Sequence, residues 1–349
     1  MAVTLLINQD EQFCHLPVLA HTDYQPAARN MHYTLIRVLN HFVFIVLLLQ
    51  PTMSLASDQY AQIVNGEQVV SIDYHASLDK AERKKIYRWL NEVTAGLLTV
   101  YNELPVDNYH ISIERSSRRS SPVPWGQVKR GTPTEVLLVV NPEAGYDAFI
   151  NDWTAFHEFS HLLIPYRGYG DIWLSEGLAT YYQNIIQARS GKFSDTEMWD
   201  KIASGFKRGR NQQRWRHINL TAVSDNLRET RQYMRVHWSG VLFWLTVDVE
   251  LRKQNKSSLD KALKQLRDCC EGQSMSAREI VQKLDELTAS DMFVPLFEKY
   301  CETYAMPEFK PMLTNLGVKR DKMTRDISFD NAAPLAYIRQ QMHQKNHSK

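Results

Sequence analysis

From Tyr60 the chain alternates apolar and polar residues on both sides of Asn65-Gly66. An Asn-Gly between two alternating runs predicts a β-hairpin over Tyr60–Tyr74. Ile86, Leu90, Val93, Leu97 and Val100 then recur at three- and four-residue intervals, which predicts a helix over Leu78–Tyr101. His110–Glu114 alternates again as a strand, Ser116–Pro124 reads as a solvated loop, and Glu135–Val140 is the next strand, closed by Asn141-Pro142. From Tyr146 the pattern is helical almost throughout, with helices expected at about 148–164, 172–190, 195–208, 229–254, 258–268, 276–288 and 291–304. A small sheet and one long helix followed by a helical half predict an α+β fold with its cleft where the two parts meet. The division expected is an N-terminal extension over 1–56, a small α+β part with an edge strand over 57–145, a helical part over 146–315 and a basic tail over 316–349, frayed at Lys345–Lys349.

Ahead of Tyr60 the pattern changes. Met31 opens a stretch with Arg37 and His41, followed by the unbroken apolar run Phe42–Leu49, then Ser54-Leu55-Ala56 and polar Ser57-Asp58-Gln59. A basic start, a short apolar middle and a small-x-small exit are the layout of a secretory signal, here over about 31–56 with translation starting at Met31. The competing reading is a buried element at the start of a cytosolic domain. The run is shorter than the roughly 20 residues a bilayer crossing takes. The expectation is an exported protein, periplasmic or secreted, without a stable membrane span. Cys14 would leave with the signal. Of the remaining thiols, one of Cys269-Cys270 could bridge to Cys301, or all three could be buried as small apolar side chains.

Composition narrows the classes only a little. At 349 residues, 44% hydrophobic and 23% charged, the chain can bury the core of one large or two modest domains. A net charge of +2 argues against a dedicated nucleic-acid binder. The arginines around Arg118-Arg119 and Lys207–Arg216 read as solvated surface. No internal repeat and no Gly-rich phosphate cradle is present.

The chemistry concentrates in His157-Glu158-Phe159-Ser160-His161. On a helix, residues i and i+4 share a face, so both imidazoles can reach one metal ion. Glu158 lies about 100° round the helix, beside the metal rather than on it, where it can take a proton from an attacking water. Trp153, Phe156 and Leu162 supply an apolar flank. After a Pro- and Gly-containing loop over 164–170 comes Trp173-Leu174-Ser175-Glu176-Gly177-Leu178-Ala179-Thr180-Tyr181-Tyr182. A catalytic zinc takes three protein ligands and keeps a position open, and Glu176 on the next helix completes a His₂Glu set. Gly177 is expected to let that helix approach the first closely. Ser160 and Ser175 flank the site, but no serine nucleophile is needed.

These residues resemble the glycyl aminopeptidase family of zinc peptidases and, more distantly, the aminopeptidase N type and thermolysin-like enzymes. The likeness is densest over residues 150–190 and continues through His237–Arg252, where W-S-G-V-L-F-W-L-T-V-D-V-E-L-R resembles the family's later active-site helix. The resemblance implies a zincin catalytic domain, one zinc ion on His157, His161 and Glu176, Glu158 as base, and peptide or protein substrates. Three departures stand out. Where the family carries an oxyanion-stabilising tyrosine this chain has His237, with Tyr233 one turn earlier, and either could donate to an oxyanion. The family's Gly-rich, Glu-containing segment that grips a free amine is matched only by Gly131-Thr132-Pro133-Thr134-Glu135, although the strand Glu135–Val140 could pair with an extended substrate. The family's extra β-domain and PDZ domain do not fit. Two alternatives to peptidase activity therefore stay open: an exported factor that binds metal with little or no catalysis, and hydrolysis of an amide outside a protein backbone.

Overall fold

β1 (Tyr60–Asn65) and β2 (Gln68–Tyr74) form the hairpin that Asn65-Gly66 predicts, paired antiparallel from Asn65↔Gln68 to Tyr60↔Asp73. Gly66 turns the chain at φ +62°, a geometry that costs glycine no Cβ clash. The structure, a computed structural model, describes residues 59–118, 121–254, 257–321 and 323–344. The signal expected over 31–56, Cys14 and the fraying of Lys345–Lys349 lie outside the described residues.

α1 (Lys80–Tyr101) starts at a capping box, Asp79 with Glu82, and buries all five residues of its expected stripe. Beyond it lie β3 (Asn108–Arg115), β4 (Trp125–Lys129) and β5 (Thr134–Val140). The sheet order is β1-β2-β3-β5-β4, with β2, β3 and β5 parallel and an antiparallel strand at each edge. Alternate residues Val70, Ile72, Ile111, Ile113, Val136 and Leu138 are buried on one face. One expectation is corrected here. Glu135–Val140 is not an edge strand, because β3 and β4 flank it on both sides. The edge strand beyond it, β4, went unread because none of its residues is buried and no apolar face marks it.

The single helix expected at 148–164 is two: α2 (Tyr146–Ile150) and α3 (Thr154–Ser160), the latter extended by a 3₁₀ turn, His161–Leu163. The break falls at Asp152, whose carboxylate accepts the Thr154 backbone N–H at 2.7 Å. α4 (Ile172–Arg189) and α5 (Asp195–Asn211) follow. After α6 (Leu220–Asp225) and α7 (Leu227–Thr230), Arg231 at φ +52° interrupts the expected 229–254 helix, so α8 runs Tyr233–Lys253. α9 (Leu259–Cys270), α10 (Ala277–Thr288) and α11 (Phe293–Cys301) complete the helical part. Residues 316–344 are not a loose tail. α12 (Lys310–Asn315) leads to the β6–β7 hairpin (Val318–Arg320, Ile327–Phe329) and α13 (Ala336–Met342), and Arg339 donates to the Leu316 carbonyl at 3.0 Å.

α4 and α8 cross through glycines. A Cβ on Gly177 would stand 2.3 Å from Gly240 Cα, so only two hydrogens fit there. The expectation that Gly177 serves contact with the first motif helix is corrected: its partner is α8. Cys269 and Cys270 are bonded to each other and Cys301 is a free, half-buried thiol, so no bridge joins Cys301 to the pair. Among the described residues no helix is long and apolar enough to cross a membrane.

Candidate active site

α3 and the 3₁₀ turn that extends it put His157 and His161 one turn apart with their rings perpendicular at 4.8 Å, and α4 brings Glu176 to meet them. His157 Nε2 lies 3.2 Å from Glu176 Oε2 and His161 Nε2 lies 3.7 Å from Glu176 Oε1. One donor atom from each residue lies within 4.8 Å of the other two. The far ring nitrogens are held as well: His157 Nδ1 by Gln183 Oε1 at 2.9 Å and His161 Nδ1 by Ser175 Oγ at 3.0 Å. The Gln183 carbonyl can only accept, so Nδ1 of His157 carries the proton and Nε2 presents its lone pair inward. Lone pairs from two imidazoles and a carboxylate converge on one point, the donor set of a cation such as zinc. Without a cation the group is held by its own charges: burial opposes ionisation of Glu176, attraction to the surrounding histidines outweighs it and holds the carboxyl well below the usual range, and the carboxylate in turn raises His157 against its burial. Burial drops His161 to about 3.

Glu158 sits beside this set, 9% exposed, under the edge strand β4. The Val128 backbone N–H donates to it, and Gly126 passes so close that an added Cβ would lie 2.5 Å from Glu158 Cγ. Burial, reinforced by the Glu176 charge, raises Glu158 to about 7. That is the range in which a carboxylate trades protons efficiently at neutral pH.

α8 supplies the fourth wall. The His237 ring lies parallel to that of His157 at 5.8 Å, with Nε2 3.4 Å from Glu176 Oε2 and Nδ1 3.2 Å from Thr180 Oγ1. Tyr233, 42% exposed, lines the same cleft one turn earlier. All six residues singled out in the sequence thus line one cavity of about 770 Å³.

Sequence reasoning missed four contributors: Gly126 and Val128 of β4, Gln183 behind His157, and Arg118 on the cleft wall. Arg118 is exposed, as the solvated-surface reading expects, and also lines the cleft. Only the Gly after Trp125 hinted at a close backbone approach. Trp153, expected as apolar flank, is 52% exposed and stands perpendicular to the His157 ring with centroids 5.5 Å apart. Phe156 and Leu162 are buried as expected. The Gly131–Glu135 segment does not reach the site. Residues 131–134 line a separate depression of about 740 Å³, and Glu135 pairs with Lys129 at 2.9 Å.

A family profile described as M61 glycyl aminopeptidase matches residues 168–261, a stretch that holds Glu176 and His237 but begins after His161. No curated protein sequence matches the chain. Among solved structures it is similar to an aminopeptidase N family protein from Idiomarina loihiensis, with a TM-score of 0.55 and 13% identity over 74% of this chain and 49% of that one. It also matches a variant of a two-domain M1 zinc metallopeptidase bound to L-arginine, at TM-score 0.48 and 15% identity over 71% of this chain and 52% of that one. The chain spans about half the length of the solved structures it matches. The resemblance read from the motifs thus holds in the sequence from the loop before α4 to the start of α9, and the fold is the mixed α+β zincin arrangement.

Proposed function

We propose that the chain is a zinc-dependent metallopeptidase that hydrolyses peptide bonds with Glu158 as its base. The observation that carries this reading is a buried carboxylate, Glu158, held under Gly126 beside a complete His₂Glu donor set. Metal binding alone needs His157, His161 and Glu176. It has no use for Glu158, which weighs against a purely metal-binding factor.

A zinc ion held by His157, His161 and Glu176 would supply Lewis acidity, lowering the pKa of the attacking water and polarising the scissile carbonyl. Glu158 takes the water's proton, the Val128 N–H keeping its carboxylate in place, and returns that proton to the leaving amine. His237 carries its proton on Nε2 when Thr180 donates to Nδ1, and so serves as the oxyanion donor. Tyr233 stands at the rim as the second candidate for that role. The unpaired outer edge of β4 lets an extended peptide add alongside it as a further strand.

The test measures metal content and peptide hydrolysis on one preparation of the full chain, with and without a chelator. About one zinc per chain and chelator-sensitive cleavage are expected. A Glu158→Gln variant is expected to retain the metal and lose turnover by about a hundredfold or more. Full activity in that variant would sink the assignment, and zinc without cleavage of any peptide would favour the binding-factor reading.

A further inference from the structure

The cleft around Glu158 has an uneven charge inventory. Among its described lining residues the only carboxylates are Glu158 and Glu176. Glu176 is encircled by the Nε2 atoms of three histidines at 3.2, 3.7 and 3.4 Å. Glu158 is covered by Gly126 and the Val128 N–H. Neither is left to receive a substrate's free amine. Against them stand three arginines from three separate segments: Arg118 before β4, Arg130 just after it, and Arg228 on α7. Arg118 and Arg228 are exposed. Arg130 is half-buried and donates to the carbonyls of His161 at 2.6 Å and Ile164 at 3.3 Å, which caps the motif helix. Those bonds take one N–H from each terminal nitrogen and leave its charge in place. A guanidinium in a partly desolvated wall, with two more at the rim, is a receptor for carboxylate.

We infer that the cleft selects peptides presenting a carboxylate near the scissile bond, bound by Arg118, Arg130 and Arg228, rather than peptides held by a free N-terminal amine. This inference rests on the peptidase reading for the bond that is cut, and adds the class of substrate that carries it. The carboxylate has two possible sources, the C-terminus of a short peptide and an Asp or Glu side chain, which present the same two oxygens to a guanidinium.

Binding separates this inference from catalysis. The full chain carrying Glu158→Gln is titrated by calorimetry with N-acetylated peptides in two matched pairs: free C-terminal acid against C-terminal amide, and an amidated peptide containing Asp against its Asn counterpart. At least one pair is expected to favour the carboxylate by about tenfold or more, the scale of a charge-assisted hydrogen bond. The pair that shows the preference identifies the source. The preference is expected to shrink severalfold as salt rises and in an Arg118→Ala, Arg228→Ala double variant, whose exposed positions leave the core untouched. Equal affinity within both pairs would overturn the inference, as would a preference that survives the double substitution at full size. So would a requirement for an unacetylated amine. If the wild-type chain cleaves no peptide, the peptidase reading falls while these affinities still decide what the cleft binds.

Discussion

Glu158 shows how far a single residue can be read from its neighbours along the chain. Its position one step round the helix from His157 is visible in the sequence, because helix geometry fixes it. What makes it a useful base is not visible there: the strand β4 closing over it, the Val128 N–H and the burial that lifts it to about 7. Those come from a segment roughly thirty residues upstream that carries no apolar periodicity. Gly126 is the sharpest point of that contact, since a methyl there would meet Glu158 Cγ at 2.5 Å and Cδ at 3.0 Å. Gly126→Ala is therefore expected to push the carboxylate aside while leaving all three metal ligands alone. Activity should fall by about a hundredfold, the cost of misplacing a catalytic group by an ångström. Zinc content measured on the same sample should be unchanged. A fully active Gly126→Ala chain would show that Glu158 does not work from this position.

Elements are legible in proportion to how much of their burial is periodic. α1 and the β1–β2 hairpin match their patterns because each buries one regular face. The 148–164 and 229–254 helices broke where local backbone chemistry, an Asp152 side-chain bond and a left-handed Arg231, outweighed a continuous hydrophobic stripe. Gly177 was seen as a site of close approach, but its partner was not, because Gly240 lies on a helix far along the chain. The crossing of α4 and α8 fixes where Glu176 and His237 stand relative to each other. At Gly177 the colliding atoms are backbone: Gly240 Cα at 2.3 Å, C at 2.4 Å and O at 2.9 Å. Backbone within a helix cannot rotate away as a side-chain tip does. Gly177→Ala is expected to force the helices apart, destabilise the fold by about 1–3 kcal/mol and weaken zinc binding through Glu176. A melting temperature and a zinc titration measure both effects. Unchanged values in both would show that the α4–α8 crossing has room for a methyl group.

Across the whole molecule, the helical part is tied together by a buried ionic knot. Tyr181 and Tyr182 of α4 donate to Asp248 of α8 and Asp260 of α9, both at 2.9 Å. Arg189 pairs with Asp260 at 2.9 Å and also donates to the Met342 carbonyl of α13, while Arg252 bonds Asp248 at 2.8 Å. Two arginines and two aspartates balance, which is the condition for charges to be tolerated away from water. The Tyr-Tyr after Glu176 entered the sequence reading as flank of the ligand motif, and the Asp and Arg late in α8 only as parts of a resemblance. Their physical role is this knot, and no spacing rule joins residues so far apart. Burial alone would raise the pKa of Asp260, but Arg189 and Arg252 outweigh it and hold the carboxyl below its ordinary 3.8. A carboxyl whose folded pKa is depressed contributes stability above its unfolded value and loses it as pH falls through the folded one. The stability difference between wild type and Asp260→Asn should therefore be constant from neutrality down to about pH 4 and shrink below it. At neutral pH the substitution is expected to cost about 3–5 kcal/mol, because Arg189 is left buried and uncompensated. Denaturant titrations of both chains at several pH values measure this. A difference that stays level below pH 4 would mean that Asp260 does not anchor the knot as a charge.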